Sequence, residues 1–413
     1  MVQEKYNINE VSNLLDISIP RLISWQLKGK LVPEFENGSE EKLYSKKQLK
    51  QFEIANQVFS SKWNEEINIK PKRSYNSIEL FAGAGGMALG FEKAGVHHLL
   101  LNEIDKHACE TLRINRPDWN VVEGAVENID FQKYRDKVDI VTGGFPCQAF
   151  SYAGKKRGFN DARGTLFYEF ARCIDEVRPK VFVGENVRGL FHHDNGKTLK
   201  TMKAIIKDLG YTLIDPRVLK AMYYKVPQKR ERLFLIGFRN DISSNIEQFK
   251  FPSPYSKVLT VSDAFTKGEL YDKDVPDSLG VNYPKRKHEI MSLVPEGGNW
   301  KNLSEDLQRE YMNGSFYLGG GKTGLARRLS MSAPSLTIVC SPAMKQTERC
   351  HPIETRPLTV RESARIQTFP DNWEFAGSKH AAYKQIGNAV PVNLAWAIAR
   401  SVVAFLNKIK TID

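Results

Sequence analysis

From Ser77 onward, short apolar strands alternate with helical stretches, and no other feature of the sequence restricts the fold as strongly. Candidate strands are the segments SIELFAG, HLLLNE, DIVTGG, KVFVGEN and RLFLIGF. Between two of them, the stretch LFYEFARCIDEV places its apolar residues on one helical face: Leu166, Phe170, Cys173, Ile174 and Val177. Strands joined through helices predict a doubly wound, mostly parallel α/β sheet, which binds ligands at the carboxyl ends of its strands.

One long region interrupts this alternation. Residues 241–330 are rich in Pro, Gly, Ser and Lys and show weak periodicity, so we expect a separate, irregular lobe there. The regular pattern returns over 331–413, where Thr359 and Glu362 form a capping-box pair. The predicted sheet therefore uses residues 77–240 and 331–413, with the lobe inserted between them.

A second, smaller module is predicted at the N-terminus. Asn7 or Asn9 can cap a short helix, and a second helix follows with Pro20 in its first turn and Gly29 at its end. Two short helices joined by a tight turn favour a helix-turn-helix. After them, Asn37-Gly38 lies between short extended runs, which is the strongest local signal for a hairpin turn.

This pattern resembles the winged helix-turn-helix of mercury-resistance-regulator-type repressors. The resemblance rests on YNINEVSNLLDISIPRLISWQLKGKLVP, a wing and LYSKKQL, and the alternative is another small helical adaptor. It implies a winged helix-turn-helix-like DNA-binding domain over residues 1–60, with promoter DNA bound through residues 7–59. Residues 61–76 are polar without a sustained period, and we expect a linker there.

Charge and cysteine content limit the function classes. A formal net charge of +12 and a pI near 9.2 favour an anionic partner, and counterion release makes nucleic acid the first candidate. No apolar run reaches the length of a bilayer and the N-terminus lacks a signal core, so we expect a cytoplasmic protein without a membrane partner. The five cysteines are too scattered for a disulfide scaffold or a zinc site, so no metal is expected.

A glycine-rich loop, FAGAGGMALGF, follows the first strand. Gly83, Gly85 and Gly86 allow a tight turn and close approach to a ligand. Glu103 follows Gly83 at the spacing where an acid accepts hydrogen bonds from a ribose, so an adenosine-bearing cofactor is indicated. Dinucleotides and S-adenosylmethionine both fit. The ring face of Phe81 suits a sulfonium cation, although an aromatic at a strand end is also typical of core packing.

The strongest chemical site is the segment GGFPCQAFS. Cys147 lies in a Gly-Gly-Phe-Pro turn at the carboxyl end of a strand, which favours a nucleophile over a buried structural cysteine. Glu185, in ENVRGL, ends a later strand at the same edge and can act as an acid or base. Arg230 and Arg232, in PQKRERLFLIG, add positive donors, the alternative being a solvated basic turn.

These residue types fit one reaction. Cytosine C5 is too electron-poor to attack a methyl group until a nucleophile adds at C6, and Cys147 can be that nucleophile. The charge pushed toward N3 needs a proton or a strong hydrogen bond, which Glu185 can give if its pKa is raised. We therefore expect methylation of cytosine at C5.

From about Ser77 to Leu406 the chain resembles bacterial-type DNA cytosine-5 methyltransferases. The matching blocks, in the family's order, are FAGAGG, GGFPCQAFS, ENV, QKRER, RPLTVRESARIQTFPD and QIGNAVPV. The resemblance implies a methyltransferase fold that uses S-adenosylmethionine and releases S-adenosylhomocysteine. It also implies a cytosine flipped out of duplex DNA, covalent attack by Cys147 and contact of Glu185 with N3.

Further site residues follow from the same resemblance. The implied cofactor contacts are Phe81, Gly83, Gly85, Glu103, Ile104, Pro146, Leu166, Asn388 and Val390. Where the family has Gly-Asp-Ile, this chain has Gly124-Ala125-Val126, so either Glu127 replaces the missing aspartate or the cofactor binds more weakly. The segment after Cys147 resembles the family's mobile DNA-closing loop, with contacts expected at Ser151, Lys155, Lys156, Arg157 and Arg163.

The resemblance also assigns domains and partners. Residues 77–240 and 331–413 become the first and final parts of the catalytic domain, and 241–330 becomes a target recognition domain that reads base edges. The implied partner is double-stranded DNA, in a restriction system with a cognate endonuclease. Two rivals are an RNA cytosine-5 methyltransferase and an inert methyltransferase body used as a transcription regulator. A helix-turn-helix favours DNA over RNA, and the complete set of catalytic residue types argues against an inert body.

Overall fold

The computed structural model describes residues 3–35, 41–146, 165–317, 319 and 323–409, without the side chains of residues 243 and 244. Its strands are β1 (Lys5–Asn7), β2 (Leu43–Ser45), β3 (Tyr75–Leu80), β4 (Val96–Glu103), β5 (Val121–Glu123), β6 (Ile140–Gly143), β7 (Val181–Val187), β8 (Tyr211–Leu213), β9 (Arg217–Lys220), β10 (Gln228–Lys229), β11 (Glu231–Arg239) and β12 (Ser335–Leu336). Its helices are α1 (Ile8–Leu15), α2 (Ile19–Leu27), α3 (Lys46–Leu49), α4 (Glu53–Phe59), α5 (Trp63–Glu66), α6 (Gly86–Lys93), α7 (Lys106–Asn115), α8 (Leu166–Val177), α9 (Lys197–Asp208), α10 (Val261–Phe265), α11 (Lys285–Ser292), α12 (Glu305–Met312), α13 (Val360–Ile366), α14 (Lys379–Asn388) and α15 (Val392–Leu406).

The chain divides into two compact units. The sheet unit consists of Asn68–Ala221, Arg230–Pro252 and Phe369–Asp413. The N-terminal unit consists of Met1–Ile67, Met222–Lys229 and Ser253–Thr368.

The sheet unit is built on an eight-stranded sheet. Its order is β5-β4-β3-β6-β7-β11-β8, and β9 also pairs with β11. The pairs from β5 to β7 are parallel, whereas β11 runs antiparallel to β7, β8 and β9. The prediction of a mostly parallel sheet is confirmed.

Helices cover both faces of this sheet. Along β3, Ile78 and Leu80 belong to the hydrophobic core that includes Phe170 of α8. The intervening Glu79 accepts a backbone hydrogen bond from Ala88 of α6. Because successive side chains of a strand point to opposite faces, α8 and α6 lie on opposite sides of the sheet. This is the doubly wound arrangement that the alternating sequence predicts.

The segment Lys379–Leu406, which contains α14 and α15, is long and apolar enough to cross a membrane by length and composition alone. However, 89% of its most apolar window is buried inside the protein. Within the sheet unit, α15 packs against α6. The segment is therefore a core element of this unit.

The N-terminal module begins as the sequence predicts. Asn7 caps α1 through a capping box with Glu10, so the cap is Asn7 and not Asn9. Pro20 lies in the first turn of α2, and Gly29 follows that helix with φ 67°. Asn37-Gly38 lies outside the described residues.

Two short helices follow Ser45, although the apolar spacing of Leu49, Phe52, Ala55 and Phe59 predicts a single one. Ser45 caps the short α3, and α4 begins only after Phe52, whose backbone is extended. The Phe52 ring stacks on Trp25 at 5.4 Å between centroids. A continuous helix would require helical φ and ψ angles at Phe52. The extended backbone at this residue interrupts the helix where its ring stacks on Trp25.

The predicted linker over residues 61–76 is partly structured. Trp63 is 2% exposed and packs edge-on against Tyr255, with ring centroids 5.4 Å apart. In α1, Asn13 donates a 2.8 Å hydrogen bond to the backbone carbonyl of Ser332. The module is therefore packed into the N-terminal unit and is not tethered to it by a flexible segment.

The rest of the N-terminal unit has a hydrophobic core of its own. The core includes Tyr283, Met291, Met312, Ala326 and Cys350. Arg328 and Cys350 also form a parallel backbone bridge. These contacts group residues 331–368 with the preceding lobe, whereas the sequence prediction ended the lobe at residue 330.

Candidate active site

The loop after β3 forms one wall of a cavity. Phe81 has φ 58°, in the left-handed region that non-glycine residues rarely adopt, and Gly83 and Gly85 also have positive φ. Backbone strain of this kind is found mostly at binding and catalytic sites. The cavity has a volume of about 680 Å³, which is within the range of small-molecule sites.

Most of the predicted site residues line this cavity, which lies wholly within the sheet unit. The predicted cofactor contacts that line it are Phe81, Gly83, Glu103, Ile104, Pro146, Leu166, Asn388 and Val390. Glu185 and Arg232 line it as well, but Gly85 and Arg230 do not. A Cβ at Gly85 would lie 2.8 Å from Leu112 Cδ2, so this glycine serves the close packing of the turn.

Glu103 is held in place by backbone groups. Its Oε2 accepts a 2.7 Å hydrogen bond from the Gly83 N–H, and its Oε1 accepts from Ile104 and Asp105 at 2.9 and 2.8 Å. Because a carboxylate offers about four acceptor sites, one site on Oε2 is left for a ligand hydroxyl. Beside it, the Ile104 side chain is 72% exposed.

The segment that departs from the family pattern also faces the cavity. Gly124, Ala125, Val126 and Glu127 all line it, and Asn102 anchors the segment by donating a 2.9 Å hydrogen bond to the Gly124 carbonyl. Ala125 offers no polar side-chain atom. Within this segment, Glu127 carries the carboxylate that could contact an amino group.

The turn that leads to Cys147 is anchored by β7. Asn186 Nδ2 donates a 2.7 Å hydrogen bond to the carbonyl of Phe145. A Cβ at Gly144 would lie 3.0 Å from Glu185 Oε2, so glycine allows the carboxylate to approach the turn. Pro146 is the last described residue before residue 165; Cys147, Ser151, Lys155, Lys156, Arg157 and Arg163 lie outside the described residues.

Glu185 and Arg232 form an ion pair at the cavity. Arg232 Nε lies 2.6 Å from Glu185 Oε1, although this oxygen receives no well-aligned hydrogen bond. Burial raises the pKa of Glu185, and the charges of Arg232 and Arg230 partly offset that rise. At a given pH, the protonated form of Glu185 is therefore more populated than that of an exposed glutamate, as a proton donor requires.

Arg230 acts at a greater distance from the cavity. It is 1% exposed, and its Nη2 donates a 2.9 Å hydrogen bond to the carbonyl of Gly387, next to the cavity-lining Asn388. It does not line the cavity itself. Its geometry suits positioning of α14 and an electrostatic effect on Glu185.

Sequence reasoning missed Glu79. This residue lines the cavity at 2% exposure, and Thr142 Oγ1 donates a 3.1 Å hydrogen bond to its Oε2. Burial raises the pKa of Glu79 to about 8. The sequence did offer a signal for this residue, since Glu79 is the one acid inside the apolar strand SIELFAG. Burying a carboxyl group is costly, so an acid in such a strand indicates a special role or partner.

Comparison with known proteins shows the family of this chain. A family model described as C-5 cytosine-specific DNA methylase matches residues 75–404. The Type II methyltransferase M.Eco47II of Escherichia coli is 61% identical over 409 residues, which cover 99% of this chain and 98% of that protein. M.PspPI of Psychrobacter sp. is 58% identical, covering 96% of this chain and 95% of its own length, and M.HhaI of Haemophilus parahaemolyticus is 35% identical, covering 83% and 98%.

Solved structures agree on the fold. A prophage-encoded DNA modification methyltransferase from E. coli has a TM-score of 0.62 at 24% identity, covering 81% of this chain and 100% of its own. A Spodoptera frugiperda DNMT2 mutant has a TM-score of 0.57 at 15% identity, covering 81% and 100%. Because the family model spans well over half of the sequence and the relatives match over nearly their full length, this chain belongs to the C-5 cytosine-specific DNA methylases and is a DNA (cytosine-5-)-methyltransferase.

Proposed function

We propose that the protein methylates C5 of a flipped cytosine in a specific duplex sequence, with S-adenosylmethionine as donor and a covalent adduct to Cys147. The observation that carries this proposal is the single cavity that contains Glu103 and Phe81 together with Glu185 and Arg232. It joins a nucleoside-binding acid to an acid with a raised pKa, as cytosine methylation requires.

The cofactor is proposed to bind along the loop after β3. The free acceptor site of Glu103 suits a ribose hydroxyl, and the exposed Ile104 side chain suits an adenine face. The Phe81 ring suits a sulfonium cation. Leu166, Pro146, Asn388 and Val390 complete the wall, and Glu127 is proposed to replace the family's aspartate. When bound, S-adenosylmethionine supplies an electrophilic methyl group and leaves as S-adenosylhomocysteine.

The proposed chemistry begins with addition of the Cys147 thiolate to cytosine C6. The electron pair displaced from the C5–C6 bond moves toward N3, where Glu185 donates a proton or a strong hydrogen bond. C5 then becomes nucleophilic and accepts the methyl group. The C5 proton is then lost to solvent and the N3 proton returns to Glu185, while elimination of the thiolate restores the aromatic ring and frees Cys147.

Arg232 is proposed to hold the Glu185 carboxyl group through the 2.6 Å contact, and Arg230 to fix α14 through Gly387. Flipping a cytosine out of the duplex costs a few kcal/mol, which contacts in the cavity must offset. Ser151, Lys155, Arg157 and Arg163 are proposed to contact the phosphates around it. The lobe over 241–330 is proposed to read base edges.

Relatives named Type II methyltransferases at 58% and 61% identity support a restriction-modification role, with a cognate endonuclease in the same system. For the N-terminal module we propose a second DNA-binding or regulatory role, with a winged helix-turn-helix-like fold that binds promoter DNA through residues 7–59. Arg21, Lys28 and Lys30 are exposed on or just after α2 and would contact phosphates.

A mechanism-based trap tests the catalytic proposal. Incubation with S-adenosylmethionine and duplex DNA that contains 5-fluorocytosine is expected to give a protein–DNA adduct that survives denaturation, because fluorine cannot leave C5 as a proton does. Cys147→Ser is expected to abolish the adduct while retaining cofactor binding. An active preparation that forms no adduct, or transfer of methyl groups to tRNA only, would contradict the proposal.

Substitution on α2 tests the proposal for the N-terminal module. The triple variant Arg21→Gln, Lys28→Gln and Lys30→Gln is expected to lose promoter binding and keep methylation. A matched control removes three exposed lysines of α9: Lys200, Lys203 and Lys207. Equal promoter binding by both triple variants would contradict the module's role.

A further inference from the structure

Two arginines of the N-terminal unit, Arg327 and Arg349, lie side by side, and neither forms an ion pair with a carboxylate among the residues that the structure describes. Arg328 and Cys350 form a parallel bridge, and the Cys350 N–H donates a 2.9 Å hydrogen bond to the Arg327 carbonyl. This register makes Arg327 and Arg349 cross-strand neighbours on one face, because side chains alternate along extended backbone.

The intervening Arg328, by contrast, has hydrogen-bond acceptors for its guanidinium group. It is 4% exposed and donates 2.8 Å hydrogen bonds to the carbonyls of Met291 and Val294, with further acceptors around its guanidinium group. Arg328 therefore acts as an internal tie between loops of this unit.

Arg327 lacks such partners. Its Nε is buried without a hydrogen-bond acceptor, and among the described residues no carboxylate forms an ion pair with it. Burial alone lowers the pKa of its guanidinium group. A partly buried cation without a partner is costly to the free protein, so this position favours a ligand that supplies acceptors.

Arg349 adds a second, largely buried positive charge next to Arg327. It is 8% exposed and donates hydrogen bonds to two backbone carbonyls, those of Thr337 at 3.0 Å and Glu348 at 2.6 Å. Burial and the neighbouring charge of Arg327 lower the pKa of Arg349 to about 10. The charge of Glu348 partly offsets this decrease, but the Glu348 carboxylate forms its ion pair with Lys287, at 2.5 Å, and accepts a hydrogen bond from Tyr311.

We propose that Arg327, backed by Arg349, binds a pair of hydrogen-bond acceptors on the target duplex. Guanidinium groups match two-acceptor partners in a planar, bidentate geometry. DNA offers two such partners, the oxygens of a backbone phosphate and the O6 and N7 atoms of guanine in the major groove. This inference rests on the proposed role of the surrounding lobe in target recognition.

The test compares Arg327→Gln with Arg286→Gln in the full-length protein. Both variants remove one positive charge from the same unit, but Arg286 is exposed and already paired with Glu289 and Glu310. The probes are a duplex carrying the sequence that bisulfite sequencing identifies as methylated in expressing cells, and a scrambled duplex of equal composition. Cofactor binding, measured by calorimetry, is expected to be unchanged in both variants.

Arg327→Gln is expected to weaken binding of the target duplex by about fivefold to a hundredfold, while the control changes little. For guanine contact, only the target duplex is affected, and 7-deazaguanine lowers wild-type affinity to that of the variant. If Arg327 contacts a phosphate, binding of both duplexes is weakened equally. The number of counterions released on binding, read from the slope of affinity against salt concentration, then falls by about one. The thermal midpoint of the free variant should not fall, because an unbalanced cation has been removed.

Two results would overturn this inference. One is equal duplex affinity and salt dependence in Arg327→Gln and Arg286→Gln. The other is an affinity loss accompanied by a lower thermal midpoint, which would indicate a structural role. A wild-type protein that methylates no duplex DNA would instead refute the proposed function, so the two failures can be told apart.

Discussion

The side-chain amide of Asn186 donates a 2.7 Å hydrogen bond to the backbone carbonyl of Phe145, two residues before Cys147. Asn186 also accepts a 2.9 Å hydrogen bond from the Val187 N–H. The amide therefore connects the end of β7 to the described segment that precedes the proposed nucleophile in the sequence. Asn186 is a positioning residue, since it holds the backbone of that turn.

Asn186→Asp keeps the acceptor for Val187 but loses the donor to Phe145. We expect kcat to fall by about tenfold or more with little change in cofactor affinity, because misplacement of a reacting group is costly. The free energy of unfolding should fall by about 1–3 kcal/mol, since a buried carbonyl loses its donor. Single-turnover methylation and calorimetry check these effects. Asn120→Asp, which removes an exposed amide donor to Leu99, should retain normal activity.

Arg232→Gln should move the pH dependence of methylation. The charge of Arg232 opposes the rise of the Glu185 pKa, so its removal raises that pKa further. If Glu185 acts as a proton donor, the alkaline limb of kcat/KM moves to higher pH, while kcat drops by about a hundredfold. Arg188→Gln, which removes an exposed partner of Glu231, is the control. An alkaline limb that stays in place or moves to lower pH would contradict the assigned role of Glu185.

Gly144→Ala should disturb Glu185 directly. The added Cβ would lie 3.0 Å from Glu185 Oε2, so the carboxyl group or the turn must shift. We expect kcat to fall by at least about tenfold while the fold is retained. Gly189→Ala is the matched control, because the nearest atom to its Cβ is Val187 Cγ2 at 4.0 Å. Steady-state kinetics of both variants provide the measurement, and equal activity would show that the close approach is unimportant.

Glu79 predicts a pH-dependent stability. Its pKa is raised to about 8 in the folded protein from an ordinary value of 4.5, so the folded state holds this proton more tightly than the unfolded state. The resulting stabilisation is complete below about pH 4.5 and is lost as the pH rises through about 8. Glu79→Gln should remove this decline, which can reach about 1.4 kcal/mol per pH unit.

Denaturant unfolding of wild type and Glu79→Gln across this pH range measures the effect. The stability difference should grow in favour of the variant as pH rises. Glu110→Gln, at a mostly exposed site on α7, should follow the wild-type curve. Parallel curves for wild type and Glu79→Gln would show that Glu79 has no raised pKa.

The sequence by itself was enough to predict the sheet, the glycine-rich loop and the approximate positions of Glu103 and Glu185. These features follow from local patterns: apolar strands that end in glycine or polar residues place those residues at one sheet edge. The capping boxes at Asn7 and Thr359 are local in the same way, since each joins residues three positions apart.

Only the tertiary structure decided which distant groups meet. The hydrogen bond from Asn186 to Phe145, the approach of Glu185 to Gly144 and the packing of Trp63 on Tyr255 each join residues far apart in the chain. No periodicity encodes such pairings, because they depend on how whole elements pack.

The same reason explains the two features that sequence reasoning overlooked. The charge of Arg327 is visible in the sequence, but whether a carboxylate or a second arginine lies beside it is not. Likewise, Glu79 is an ordinary acid until burial between a sheet and a helix raises its pKa. The sequence gives the chemical type of each residue, whereas its solvation and charge balance depend on neighbours that only the folded chain brings together.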